Sequence, residues 1–313
     1  MTHPHDTFAP FVATLGRGPG RSRALTREEA REAFGMVLRR EADPHQIGAF
    51  LMLLRFRGED ADEITGMVEA ARENIGGAWR EPRPDLDWPS YGAGRTRGAP
   101  WFLLSALALA SAGASVLMHG SNEHSKGITV EAALRVLGEA PVPGFRFVPL
   151  RELSPAMDEL LRMRRLFGLR SPVNTVARLL NPGDAAAGVD GVFHPPYLAV
   201  HLGVAERLAR PRLVILKGGG GEAERVPLKP GGAWRWDQEE GRSEIALPGM
   251  PDLAPLTPAA DTEALLAAVW RGETAPPTVI ATILATIGLG LMALGWTREP
   301  ERIWRDRFGA QAS

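Results

Sequence analysis

Hydrophobic residues along the first quarter of the chain recur at helical spacing. Thr26 followed by Glu29 matches a capping box and opens a helix whose inward positions are Ala33, Phe34, Val37 and Leu38. Asp43-Pro44 supplies an N-cap with proline at the first helical position, and Ile47, Phe50, Leu51 and Leu54 follow. Asp60 opens a third helix with Ile64, Met67, Val68 and Ala71 inward, stopping near Gly76-Gly77. The pattern predicts a small helical unit. Residues 78–90, rich in Pro, Trp and Asp, read as a linker. Beyond them the rhythm alternates. Helices are predicted over 101–112, 129–137, 155–167 and 171–180, and near 259–270, 276–294 and 299–308. Strands are predicted at 115–118 and 212–216, with short strands and turns over 226–245. Alternating strands and helices imply an α/β domain with a largely buried sheet.

Composition narrows the possibilities. The 313 residues suffice for one large or two smaller domains, and a net charge of −1 gives no global attraction to nucleic acid or an anionic membrane. Any such partner must be drawn by a local patch. The absence of cysteine excludes disulfides, thiolate metal sites and thiol nucleophiles. The opening MTHPHDTFAP lacks the apolar core of a signal peptide. The longest apolar run, 279–294, contains Gly288 and Gly290 and falls short of the roughly 20 residues of a bilayer span. It reads as a buried helix, so a cytoplasmic protein without a membrane partner is expected.

Four stretches carry candidate chemistry. In Tyr91-Gly92-Ala93-Gly94-Arg95-Thr96-Arg97-Gly98, small residues allow an anion to approach backbone N–H groups. Arg95 and Arg97 favour that reading over a plain turn, because guanidinium groups bind phosphate bidentately. Lys217 followed by Gly218-Gly219-Gly220-Gly221-Glu222 is either a similar loop or a flexible turn. His119-Gly120-Ser121-Asn122 through Lys126 follows a strand, where ligand sites of open α/β sheets lie. Two histidines five apart there do not make a metal site without a further ligand. Arg162, Arg164, Arg165, Arg170 and Arg178 fall in a stretch with no acidic residue, which suits an anionic ligand as well as a solvated face. No Ser-His-Asp or paired-carboxylate arrangement is recognisable from spacing.

Taken in order, these pieces resemble the anthranilate phosphoribosyltransferase (TrpD) family of the glycosyltransferase family 3 superfamily. The resemblance runs over about residues 25–294, carried by LTREEAREAFGMVLRREADPHQIGAFLMLLRFRGEDADEITGMVEA, HGSNEHSKGITVEAALRVLG and SPAMDELLRMRRLFGLRSPVNTVARLLNP. It implies a small N-terminal helical domain (1–80) that also forms the dimer contact and is joined by a helix from about 171–181. A larger α/β domain (81–313) with a central sheet completes the fold, as in the nucleoside phosphorylase class. It also exposes departures. The family's Gly-Thr-Gly-Gly-Asp loop is here Gly92-Ala93-Gly94-Arg95-Thr96, and its Asn-x-Ser-Thr is an apolar run around Pro100, Trp101 and Phe102. Its Asp-Gly-Leu-Asp-Glu, the source of magnesium ligands, is Gly220-Gly221-Glu222-Ala223-Glu224, leaving Glu224 in register and Glu222 beside it. Arg164 falls where the family's arginine meets anthranilate, and Asn122 near a family Asn.

Losing carboxylates while gaining arginines exchanges a magnesium-mediated grip for a direct cationic one. The pattern is closer to the divergent YbiB-like TrpD paralogues, which implies a homodimer through the N-terminal helices. It also implies a groove for nucleic acid (single-stranded DNA or RNA) or a phosphorylated small molecule, needing no cofactor for binding. The alternatives are an active phosphoribosyltransferase that uses phosphoribosyl pyrophosphate, magnesium and an altered acceptor, and a structural dimer with a vestigial cleft.

Overall fold

The computed structural model describes residues 4–18, 20–92, 98–121, 125–138, 142–257 and 261–308. Four helices open the chain: α1 (Pro4–Gly16), α2 (Arg27–Leu38), α3 (Pro44–Arg57) and α4 (Ala61–Ile75). Capping boxes form at Thr26, Asp43 and Asp60, so each helix start is fixed by local hydrogen bonds. Helix α1, for which the opening residues gave no expectation, buries Phe8 edge-on against Phe50 with ring centroids 5.5 Å apart.

The α/β part begins with β1 (Leu86–Ser90), α5 (Trp101–Ser111), β2 (Val116–Gly120), α6 (Val130–Leu137) and β3 (Phe145–Pro149). Short helices α7 (Leu150–Leu153), α8 (Pro155–Arg162), α9 (Arg164–Phe167) and α10 (Val173–Arg178) lead to β4 (Ala187–Val192), α11 (Pro196–Arg207) and β5 (Arg212–Lys217). The hairpin β6 (Gly231–Asp237) and β7 (Gly241–Leu247) precedes α12 (Glu263–Arg271), α13 (Pro277–Leu294) and α14 (Pro300–Arg305). Strand order is β3-β2-β1-β4-β5-β6-β7. The first five strands run parallel and the hairpin is antiparallel. The protein therefore has a helical N-terminal domain and a larger α/β domain built on a mixed seven-stranded sheet.

Several elements differ from expectation. The linker read over 78–90 contains β1, a fully buried central strand. Pro89 disguised it, since proline cannot donate to a ladder. Pairing of β1 with β4 covers only Leu86 and Asp87, so the ladder on that side stops before Pro89. Strand β4 was also missed, because Gly188, Asp190 and Gly191 interrupt its apolar run. The helix expected over 155–167 divides at Met163 into α8 and α9. Helix α13 is long and apolar enough to cross a membrane by length and composition, yet 67% of it is buried, packed on α5, β4 and β5.

Two cores result. One sits between the sheet and α5, α13 and α12. The other joins the N-terminal helices to the 150–180 segment, with Met157, Leu161, Val173 and Val176 in the same cluster as Phe34, Leu51 and Met67. That second core carries α9 and α10 over the C-terminal end of β4.

Candidate functional site

At that end of β4 a cavity of about 230 Å³ lies between the helical domain and the sheet. Arg55 comes from α3, Arg164 from α9, Arg170 from the turn before α10, and Arg178 from the last turn of α10. Phe193, His194, Tyr197 and His201 form the opposite wall. No carboxylate is among its lining residues.

Each guanidinium is held differently. Arg178 is 7% exposed and donates to the carbonyls of Tyr91 (2.8 Å), Asn174 (3.2 Å) and Gly221 (3.4 Å), so it ties three chain segments together at the cavity floor. The glycine stretch after β5 serves this contact. Gly220 and Gly221 take φ of +68° and +83°, a region closed to most side chains. A Cβ on Gly191 would lie 2.2 Å from the carbonyl carbon of Glu222, which explains the glycine in β4. Arg170 sits over the Phe193 ring, 5.8 Å from its centroid. Burial, and then the neighbouring charges of Arg178, Arg164 and Arg55, lower the Arg170 pKa to about 10. An anionic partner would relieve that unfavourable potential. Arg55 donates to the Tyr197 hydroxyl (2.8 Å), which donates to Glu59 (3.1 Å). Burial and the Glu59 charge push the Tyr197 phenol up to about 12, so it stays neutral.

His201 is 2% exposed, and its Nδ1 lies 2.8 Å from the buried Asp190 carboxylate. A carboxylate only accepts, so Nδ1 carries the proton and Nε2 is the nitrogen left for the cavity.

The residues singled out by sequence are divided by the fold. Arg164, Arg170 and Arg178 meet in the cavity. Arg165, on the same short helix, is exposed and outside it. Arg162 is not uncompensated, as the acid-free stretch suggested: Asp158, one turn earlier, holds it at 2.7 Å. Gly120, Ser121, Arg151 and Arg162 line a separate cavity of about 260 Å³ together with Glu131 and Asp158, two cations against two carboxylates. Lys126 is exposed on the loop before α6. His119 was expected at the anion site, but it is 0% exposed, with Nδ1 2.8 Å from the Tyr91 hydroxyl and Nε2 3.2 Å from Asp87. Both nitrogens belong to an internal network. Gly92 is buried two residues past the end of β1, while Gly94, Arg95, Arg97 and Asn122 lie outside the described residues.

The positions expected to supply magnesium ligands have the following surroundings. Glu222 is 2% exposed, Ala223 has no donor, and Glu224 Oε2 accepts from the Phe102 N–H (2.9 Å) at the start of α5. Asp261 accepts from Ala99 N–H (2.7 Å) at the same helix end. Two of the chain's own carboxylates thus occupy N–H groups at this helix start, where an anion would otherwise find donors. Among the described residues no three His, Asp or Glu groups are placed to hold a metal.

Sequence reading missed Arg55, Asp190, Phe193, Tyr197 and His201. None belongs to a local motif, and Arg55 and Tyr197 are 142 residues apart in sequence.

A family described as "Glycosyl transferase family, helical bundle domain" matches residues 10–75. The chain is 31% identical over 290 residues to anthranilate phosphoribosyltransferase of Thermus thermophilus, covering 87% of each. The crystal structure of the Thermus thermophilus enzyme superposes with a TM-score of 0.73 at 24% identity, covering 98% of this chain and 95% of that one. The Saccharomyces cerevisiae enzyme in complex with PRPP and Mg has a TM-score of 0.72 at 16% identity, covering 99% and 95%.

Proposed function

This chain belongs to the anthranilate phosphoribosyltransferase family, and from that premise we propose that it binds phosphate groups directly through guanidinium side chains rather than expelling diphosphate over magnesium. The observation that carries the reading is the cavity with Arg55, Arg164, Arg170 and Arg178 on its walls and no lining carboxylate. The engagement of Glu224 and Asp261 at the start of α5 supports it. The ligand is a nucleic acid strand or a phosphorylated small molecule. Phe193 and Leu169, 44% and 56% exposed, place apolar surface beside the arginines, the combination single strands use for base stacking and backbone neutralisation.

Anisotropy of a labelled short dT strand tests this. Held by three or four phosphate contacts, it is expected to lose roughly 20- to 50-fold in affinity between about 50 and 200 mM salt. Binding insensitive to salt, or none at micromolar protein, counts against the reading.

We further propose that a second copy of the chain packs on the N-terminal helices, since Phe56 at the end of α3 is 90% exposed. Light scattering is expected to give a dimer for the parent protein and a monomer for Phe56→Glu.

A second reading is an active phosphoribosyltransferase with an altered acceptor, favoured by family membership and by Arg164 in the cavity. Incubation with phosphoribosyl pyrophosphate, Mg²⁺ and aromatic amines distinguishes the two, because only this reading releases diphosphate.

A further inference from the structure

Neither the glycine loop nor the arginine stretch accounts for the buried pair at the cavity floor. Asp190 on β4 is 0% exposed and holds His201 Nδ1 at 2.8 Å, while His201 lines the cavity. A buried carboxylate behind an imidazole fixes the ring's tautomer and orientation. The nitrogen facing the ligand is then Nε2, which accepts when the ring is neutral and donates only when the ring is protonated. The charged and titratable groups around it are Arg55 from α3, Arg164 from α9, Arg170, Arg178 from α10, His194 just before α11 and Tyr197 on it. The arginines present donors only, and the Tyr197 hydroxyl already donates to Glu59.

We propose that this cavity recognises a terminal phosphate monoester, with His201, positioned by Asp190, taking up a proton as the dianion binds. The inference rests on the anion-binding reading above. Two features select a monoester over a diester. Arg178 and His201 are only 7% and 2% exposed, so a phosphate reaches them end-on and not while flanked by sugars on both sides. A monoester also carries up to two charges above its second pKa of about 6, against one for a diester. The doubly charged form best satisfies several guanidiniums without a lining carboxylate. A neutral His201 would turn its Nε2 lone pair on the incoming oxygens. The complex therefore binds one further proton from bulk water at Nε2, which then donates to a phosphate oxygen.

Titration calorimetry on the full chain, at slightly alkaline pH in two buffers of different ionisation enthalpy, tests this. Adenosine monophosphate is compared with cyclic adenosine monophosphate, the same base carrying a monoester or a diester. A short dT strand with a terminal phosphate is compared with one ending in hydroxyls. The monoester is expected to bind about tenfold more tightly, the contribution of one charge-assisted hydrogen bond, with a buffer-dependent enthalpy corresponding to proton uptake. His201→Gln should remove both the preference and the uptake, with the thermal melt confirming folding. Asp190→Asn should reduce both. A preference confined to the strand identifies a nucleic acid end, and one confined to the mononucleotide identifies a free nucleotide. Equal affinity for monoester and diester, or no proton uptake by the parent protein, overturns the inference. If strands still bind with steep salt dependence in that case, the anion reading stands without it. If no phosphate compound binds, both fall.

Discussion

Arg170→Glu is expected to weaken phosphate-dependent binding about a hundredfold or more, while the protein stays folded. The change removes a charge-assisted donor and sets a negative charge against the ligand, and each effect is worth on the order of a few kcal/mol. Arg170 is the informative position because its guanidinium is neither ion-paired nor hydrogen-bonded to any described residue, its contact there being the Phe193 ring. Arg178 would confound the same test, since its loss also frees three carbonyls. The pKa of Arg170 gives a second readout. Burial first, and then Arg178, Arg164 and Arg55, bring it down to about 10 from the ordinary arginine value. Between those values the unfolded chain binds more protons than the folded one, so stability rises with pH in that window. Below about pH 10 the penalty is fully present. Arg170→Gln is therefore expected to melt at or above the parent temperature without ligand, and to gain less from added phosphate. A lower melting temperature together with unchanged strand affinity would show that Arg170 serves the fold and not the ligand.

Asp87→Asn should have the largest effect on stability, about 3–5 kcal/mol, read from urea unfolding followed by tryptophan fluorescence. Asp87 is 0% exposed at the centre of the sheet, with Oδ1 3.2 Å from His119 and Oδ2 3.0 Å from Arg210. Asparagine would leave the buried Arg210 guanidinium facing an amide and remove the charge that balances it. Burial by itself raises the Asp87 pKa, but His119 and Arg210 outweigh it and hold the carboxyl below its usual range. A depressed folded-state pKa means that the contribution is present above the ordinary aspartate pKa and is lost as pH falls through the folded value. The parent should thus hold its stability through mildly acidic pH and lose it below the aspartate range, whereas Asp87→Asn should show a flatter acid limb. A stability loss under about 1 kcal/mol would mean that the network is not needed for folding. The network also ends at the glycine loop, because the Tyr91 hydroxyl contacts His119 and the Tyr91 carbonyl receives Arg178. Loosening it should lower ligand affinity as well, linking the core to the cavity.

The division between legible and illegible features follows interaction range. Thr26 with Glu29, Asp43 with Gln46 and Asp60 with Glu63 close hydrogen bonds within a single helical turn, so the helix starts could be read directly or nearly so. Helix α13 was legible as core because its apolar run is long. Strands β1 and β4 were not, since Pro89, Gly188, Asp190 and Gly191 are acceptable only where a neighbour ends its pairing, offers a histidine or passes close by. The five arginines of 162–178 show the same limit. Local pattern marked the stretch, but a bend at Met163 and the turn at Gly168 send Arg164, Arg170 and Arg178 into one cavity, Arg162 to Asp158 and Arg165 to solvent.

By itself the sequence determined the helix caps, the alternation that makes an α/β domain and the family to which those segments belong, because these depend on residues near one another in the chain. Only the tertiary structure decided that His119 serves the core, that Glu224 and Asp261 fill the start of α5, and that Arg55, Asp190 and His201 join the arginines. Those assignments depend on which distant backbone lies within hydrogen-bonding distance, and packing of the helical domain against the sheet sets that.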